Sequence, residues 1–209
     1  MVVTSDHGAS PLPERTADGG RIEYEVMQET AQHAAETVLG GGTWVTDAKY
    51  PNVFFSASLL AKPDVERTRA IAAVVAALQR VPGIAWVEPA TRFEGNCEQR
   101  RGDDRAICHA LDPERSGDLV YMPKPHWIMQ DRDEHVGTAH GSIYAYDRQV
   151  PLIVLAPDRA PHAPATAPER VRPMTDVAPL LASWLGVPPP LSLTWHARGI
   201  ARDASVADK

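Results

Sequence analysis

An aspartate and a histidine stand next to each other near the start of the chain, directly after a short apolar run. The run and the pair read VVTSDHG at residues 2–8. Carboxylate and imidazole groups such as those of Asp6 and His7 are ordinary zinc ligands, and Gly8 allows the backbone to turn sharply after them. By itself the dipeptide is weak evidence, because an Asp beside a His is more often a turn with a solvated histidine.

A second histidine lies far downstream, between small residues. His140 stands in GTAHGS at residues 137–142, and the apolar run VPLIVLA follows at 150–156. A continuous run of this kind predicts a strand buried on both faces in a mostly parallel sheet. Open α/β sheets bind their ligands at the carboxyl edge of the strands, and we expect Asp6, His7 and His140 to meet at that edge.

Taken together, these segments resemble the C-terminal part of the alkaline phosphatase superfamily, particularly its bacterial phosphatase and type I phosphodiesterase branch. In that family a strand ends in Ser/Thr-Asp-His-Gly, and a later Thr-x-His-Gly-Ser run precedes a Tyr-Asp-x-x-Val-Pro strand. Both patterns occur here. The first is TSDHG at 4–8, and the second is TAHGS at 138–142, before YDRQVP at 146–151. The segment MTDVAPLL at 174–181 is similar to a further helix of the family. The resemblance covers both ends of the chain well and the middle poorly.

The resemblance implies an α/β fold with a mostly parallel sheet flanked by helices, and a metal-dependent phosphoester hydrolase. Such an enzyme uses two divalent metals, usually zinc, about 4 Å apart, to bind the attacking and leaving oxygens. Asp6 and His7 fall at ligand positions of this two-metal site, and His140 falls at the histidine position of the other metal. Sulfatase and phosphonate hydrolase activities are the alternatives within the superfamily, because fold alone does not imply function.

The family's N-terminal half has no counterpart here, because the chain begins a few residues before Asp6. In the family that half supplies the Thr or Ser nucleophile and the remaining metal ligands. Thr4 and Ser5 are substitutes by residue type, but strand hydroxyls bonded to the backbone are the better interpretation. We expect the C-terminal part of a hydrolase that needs an upstream segment or chain, or alternatively a noncatalytic remnant with a partial metal site. Incomplete ligand shells predict only partial metal binding by this chain.

Composition and charge narrow the class of partner. The 209 residues are 44% hydrophobic and 23% charged, which is ordinary for a globular protein. A net charge of −6 argues against a nucleic-acid binder, whereas a small phosphoester substrate is compatible with it because bound cations invert the local charge. No apolar run is long enough to predict a membrane span. No signal peptide is visible, and we leave the compartment open, with periplasmic or secreted locations expected if the complete protein carries one.

The elements that position these residues form a core interrupted by an insert. We expect residues 21–135, roughly, to form a small α+β accessory lobe over the site, and the core to return over 136–200. Within the insert, Val53–Leu60 is an apolar run. We predict a helix opened by Pro63-Asp64 and stopped by Pro82-Gly83, a helix near Asp103–Leu111, and strands at Ile84–Val87 and Leu119–Met122. The helix after Pro63 carries Ile71, Val74, Val75, Leu78 and Val81 on one face.

Several residues have two interpretations. Asp147 either accepts a hydrogen bond from a ligand histidine and orients it, or only stabilises the turn before the strand. His135 is a rival ligand, although a solvated histidine is the better interpretation, and His126 lines the cleft or packs beside Trp127.

Cys97 and Cys108 either form a disulfide that closes a short loop or remain thiols. In the last predicted helix, Thr175 is the expected N-cap and Gly186 the expected stop.

Overall fold

The computed structural model describes residues 1–133, 137–154 and 173–188. It divides into two compact units, Met1–Leu155 and Ala156–Lys209, and each is considered by itself. Within the described residues, no helix combines the length and the apolar character that crossing a membrane requires.

The described strands are β1 (Val2–Val3), β2 (Gly20–Glu23), β3 (Val45–Asp47), β4 (Asn52–Phe55), β5 (Ile84–Pro89), β6 (Leu119–Pro123), β7 (Trp127–Gln130) and β8 (Ile153–Val154). The described helices are α1 (Tyr24–Leu39), α2 (Ala57–Leu60), α3 (Asp64–Leu78), α4 (Gly102–Ala110), α5 (Ala145–Arg148) and α6 (Val177–Leu185).

The fold is α/β, as predicted, and the strands of the described residues form three sheets. The largest has the order β3-β4-β6-β5, and every pair in it is antiparallel. With α1 and α3 it gives the α+β character expected of the insert. Among the described strands, parallel pairing occurs between β2 and β7, which lie at the two ends of the predicted insert rather than in the predicted core.

The strand pair that leads to the site differs from the prediction in two respects. β1 pairs with β8 in the antiparallel direction, with Val3 opposite Ile153. The expected burial on both faces is also wrong for Ile153, which is 50% exposed. Each of these short strands pairs with one described strand, so each also has an edge without a described partner strand.

The main core lies between the antiparallel sheet and the two long helices. α3 begins after Pro63 with Asp64 and Glu66 in its first turn, where acidic side chains complement the helix dipole. Its predicted face is confirmed, since Val74 and Leu78 are fully buried. The helix ends at Leu78, before the Pro-Gly stop.

Helix α1 was not predicted, although it packs closely against α3. Its buried residues are Met27, Ala31, Ala34 and Ala35. Three of these four are alanines, so the apolar periodicity on which the prediction of helices depends is weak here.

Helix α6 of the second unit begins and ends close to the predicted positions. Gly186 ends it in the left-handed conformation with φ 67°, as expected of a glycine stop. The N-cap prediction is wrong: Asp176 is the cap residue, and Thr175 lies inside a preceding 3-10 turn, Met174–Asp176. The tighter turn places the start of the α-helix one residue later.

Cys97 and Cys108 form a disulfide, with their Cα atoms 5.6 Å apart. The bond joins the 3-10 turn Cys97–Gln99 to α4. Of the two alternatives that the sequence left open, the structure shows the disulfide.

Candidate metal centre

The side chains of His7 and His140 lie against each other, although 133 residues separate them in sequence. Their rings are stacked, with centroids 3.6 Å apart and an interplanar angle of 15°. The reason is the antiparallel pairing of β1 with β8, which brings the segment after β1 beside the segment before β8. The shared edge is therefore the carboxyl end of β1 and the amino end of β8, not two carboxyl ends as expected.

Two backbone hydrogen bonds connect the Asp-His segment to the loop that carries His140. The N–H of Gly8 donates to the carbonyl of Asp147 at 2.8 Å, and the N–H of Ser10 donates to the carbonyl of Ala139 at 2.9 Å. The hydroxyl of Thr138 also donates to the Ser10 carbonyl. These bonds form a short ladder beyond the ends of β1 and β8, and they set the distance between the two histidines.

Asp6 lies beside His7 with its carboxylate in solvent, since 84% of the side chain is exposed. Hydrogen bonds from the backbone N–H of His7 and of Asp6 itself, and then the charge on His7, lower the pKa of Asp6 below its ordinary value. The carboxylate is thus ionised at neutral pH. A carboxylate has to be ionised to act as a metal ligand.

The local geometry of Asp6 and His7 fits one zinc position. Nδ1 of His7 lies 2.7 Å from the carbonyl oxygen of Gly8 and, as the donor of that bond, carries the proton. The lone pair is then on Nε2, which is 3.6 Å from Oδ2 of Asp6. Two ligands of a tetrahedral zinc with bonds of about 2.0 to 2.2 Å lie about 3.3 to 3.6 Å apart.

The three predicted ligands do not surround a single point. Within residues 1–133, 137–154 and 173–188, no three side chains of the His, Cys, Asp and Glu types are grouped so that they could hold one metal ion. The resemblance assigns Asp6, His7 and His140 to two metals rather than one. Their role as ligands stays a prediction, and His135, the rival ligand, lies outside the described residues.

Asp147 is buried behind the histidines and has one unsatisfied oxygen. Its Oδ2 accepts a hydrogen bond of 2.8 Å from the N–H of Ser142, whereas its Oδ1 is buried without a hydrogen-bond partner. Asp147 and His140 both line a small cavity of about 40 Å³. The turn-stabilising interpretation of Asp147 is therefore seen directly, and the orienting one stays a prediction.

The hydroxyls near the histidines are bonded to the backbone. Ser5 Oγ donates to the carbonyl of His7 at 2.7 Å, and Thr4 Oγ1 lies 3.5 Å from the carbonyl of Ser5. This agrees with the structural interpretation of both residues. The ring of His126 lies 5.5 Å from that of Tyr146, and both interpretations of this histidine stay predictions.

Tyr50 belongs to the candidate site and was not predicted. Its hydroxyl lies 3.1 Å from the carbonyl oxygen of Gly141, the residue after His140, and 3.1 Å from Sδ of Met122. The carbonyl oxygen is the stronger acceptor for the single hydroxyl proton. Tyr50 lies within the insert, 90 residues before His140, in the part of the sequence that the family resemblance covers poorly. No local pattern around it indicates a contact with the site.

Comparison with known proteins supports the resemblance. No family model matches the chain. It is 25% identical over 191 residues to a calcium-transporting ATPase of Myroides odoratus. It is 27% identical over 203 residues to the alkaline phosphatase PhoD of Zymomonas mobilis. Each alignment covers 90% of this chain and 34% of the relative, so the chain spans about a third of the length of these relatives.

Solved structures of the alkaline phosphatase PafA share the fold. The wild-type enzyme superimposes with a TM-score of 0.56 at 19% identity, over 72% of this chain and 29% of the other. A substituted variant gives the same TM-score at 17% identity. The chain therefore has an alkaline-phosphatase-like fold and a relationship, at low sequence identity, to the alkaline phosphatase superfamily.

Proposed function

We propose that this chain is the C-terminal part of a metal-dependent phosphoester hydrolase, and that Asp6, His7 and His140 are ligands in its two-metal site. The observation that carries the proposal is the stacking of His7 on His140, with ring centroids 3.6 Å apart. The sequence and structural neighbours support a phosphoesterase-type superfamily. The two metals, zinc in the first instance, and the substrate, a small phosphate monoester or diester, are part of the proposal.

In this proposal Asp6 and His7 bind one metal and His140 binds the other. Bound divalent metals polarise the phosphoester and stabilise the charge of the attacking and leaving oxygens. Hydrogen bonds within the chain orient the side chains of the site. The hydrogen bond from Nδ1 of His7 to the Gly8 carbonyl orients the imidazole and leaves Nε2 for the metal.

Asp147 is proposed to orient His140. A buried carboxylate oxygen without a partner is costly, Oδ1 of Asp147 is such an oxygen, and Asp147 lines the same cavity as His140. A ring N–H of His140 that donates to this oxygen would satisfy it and direct the other ring nitrogen to the metal, as carboxylates commonly do for metal-bound histidines.

The nucleophile is proposed to come from an upstream segment or a partner chain. A hydroxyl has to be activated by a base or a metal before it attacks. The hydroxyls of Ser5 and Thr138 instead donate to backbone carbonyls. We therefore expect this chain alone to hydrolyse phosphoesters far more slowly than a complete enzyme of the family.

Metal binding and hydrolysis test the proposal together. We expect the purified chain to bind Zn²⁺ weakly in a calorimetric titration, and the His140→Ala variant to lose part of that binding because an imidazole ligand is removed. His109→Ala is the matched control, since His109 is exposed and pairs with Glu98. Hydrolysis of a chromogenic monoester and diester with added zinc is measured on the same samples.

The outcomes separate the alternatives. No specific zinc binding would favour a noncatalytic remnant of the fold. Two tightly bound zinc ions per chain would show that the ligand shells are more complete than proposed. Robust turnover that disappears in His140→Ala but not in His109→Ala would show that the chain carries its own nucleophile.

A further inference from the structure

One peptide group next to His140 is hydrogen-bonded at both of its ends. The carbonyl of Gly141 accepts a bond of 3.1 Å from the hydroxyl of Tyr50. The N–H of Ser142 donates a bond of 2.8 Å to Oδ2 of Asp147. The carbonyl of Gly141 and the N–H of Ser142 belong to the same planar peptide unit. Fixing both groups therefore fixes the orientation of the whole Gly141–Ser142 peptide.

The orientation of this peptide bears directly on His140. Gly141 has φ 102°, a conformation that glycine adopts readily and other residues rarely. The backbone thus reverses immediately after His140, and the plane of the next peptide is fixed. The torsions on either side of this plane are ψ of Gly141 and φ of Ser142, so the two hydrogen bonds restrain the backbone at the residue that follows His140, and through it the position of His140 against His7.

Tyr50 is suited to this role because its own position is well defined. Its ring packs edge-on against Tyr121, with centroids 5.6 Å apart. This contact is made by the ring of Tyr121 and does not need the Tyr121 hydroxyl, which donates to the carbonyl of Ala48 at 2.8 Å. Burial, and then the nearby charge of Asp147, raise the pKa of Tyr50 above its ordinary value. The hydroxyl therefore keeps its proton and remains a donor at neutral pH.

We propose that Tyr50 is a positioning residue for His140, and that it acts through the Gly141–Ser142 peptide. The predicted insert then takes part in the geometry of the site, because one of its side chains orients the backbone that carries a candidate metal ligand. The importance of this for metal binding rests on the proposed function. The positioning itself does not, because it is a property of the chain without metal.

The first measurement is made without metal on Tyr50→Phe and on Tyr121→Phe as the matched control. Each variant loses one tyrosine hydroxyl and its hydrogen bond to a backbone carbonyl, but only Tyr50 reaches the loop of His140. In Tyr50→Phe we expect the ring signals of His140 to shift in NMR spectra, where the His140→Ala spectrum assigns them. The amide of Ser142 should exchange about 3- to 10-fold faster, as the loss of one net hydrogen bond allows. Tyr121→Phe should change neither.

The second measurement is a titration of the same proteins with Co²⁺ alone, followed by visible absorption. If the chain binds Co²⁺, we expect about tenfold weaker binding or an altered spectrum in Tyr50→Phe, the lower range found for residues that orient metal ligands. Tyr121→Phe should match the unsubstituted chain.

These results distinguish the positioning role from the proposed function. A chain that binds no Co²⁺ contradicts the metal site, and the NMR comparison then decides on Tyr50 alone. Unchanged His140 signals in Tyr50→Phe overturn the positioning role. Equal changes in both variants, or a Co²⁺ affinity and a spectrum that are both unchanged in a chain that binds Co²⁺, overturn it as well.

Discussion

At the scale of single residues, the candidate site depends on how closely two backbone segments approach each other. Gly8 lies where this approach is tightest. Its N–H bonds to the Asp147 carbonyl at 2.8 Å, and a Cβ built at Gly8 would overlap the carbonyl oxygen of Tyr146. The glycine in the Asp-His-Gly motif therefore serves the packing of the two segments, and its φ lies outside the left-handed region in which a sharp turn would require glycine.

Gly8→Ala should destabilise the protein, because the added methyl meets rigid backbone and the two segments have to separate. We expect a loss of about 1 to 3 kcal/mol in the free energy of unfolding, as is usual for overpacking, measured by urea denaturation. Gly41→Ala is the control, because a Cβ at Gly41 meets nothing within 4 Å. A Gly8→Ala protein as stable as the Gly41→Ala protein would contradict the close approach.

At the scale of elements, the disulfide joins a 3-10 turn to helix α4 within the first unit. Cys97 and Cys108 are 11 residues apart, and the loop between them contains a 3-10 turn and most of α4. Asp103 of α4 accepts a hydrogen bond of 3.2 Å from Arg148 of α5. α4 is thus attached covalently to the preceding turn and by a surface ion pair, of small energetic weight, to the segment after the histidines.

Replacing both cysteines by serine should lower the free energy of unfolding by about 3 kcal/mol, from the chain entropy of a loop of this length. Urea denaturation of the double variant, and of the unsubstituted chain with and without reductant, measures the effect. The reduced chain should approach the double variant, while the Zn²⁺ affinity of the folded protein should stay the same. A loss well below 1 kcal/mol would mean that the loop is equally ordered without the bond.

At the scale of the whole first unit, Arg21 connects three segments that are distant in sequence. Its guanidinium donates to Glu14 at 2.6 Å, to Gln130 of β7 at 3.1 Å and to the carbonyl of Gly137 at 2.9 Å. Only 16% of its side chain is exposed. Arg21 therefore links the loop after the Asp-His pair, the parallel strand pair and the segment that leads to His140.

Arg21→Gln should cost about 2 kcal/mol or more of unfolding free energy, because hydrogen bonds to a charged group are lost at a poorly exposed position. Arg69→Gln removes the same charge from an exposed position on α3 and should change stability by less than about 0.5 kcal/mol. Both are measured by urea denaturation. Equal effects would show that the net charge of the protein, rather than the contacts of Arg21, sets the difference.

Local sequence determined much of this protein. α3 and the strands β5 and β6 follow from apolar periodicity and from Pro and Gly at their ends, because each of these signals acts within one turn or one strand. The Asp-His-Gly and Thr-x-His-Gly-Ser segments indicated which distant residues to compare, and His7 and His140 do lie together. α1 was missed because its buried face consists largely of alanine.

Only the tertiary structure decided the rest. The antiparallel pairing of β1 with β8 depends on contacts between residues about 150 positions apart, which leave no trace in either local pattern. The same holds for the Tyr50 hydroxyl on the Gly141 carbonyl and for the buried oxygen of Asp147. A side chain's type shows which bonds it is able to form, but the chain has to fold before distance and burial select its partner.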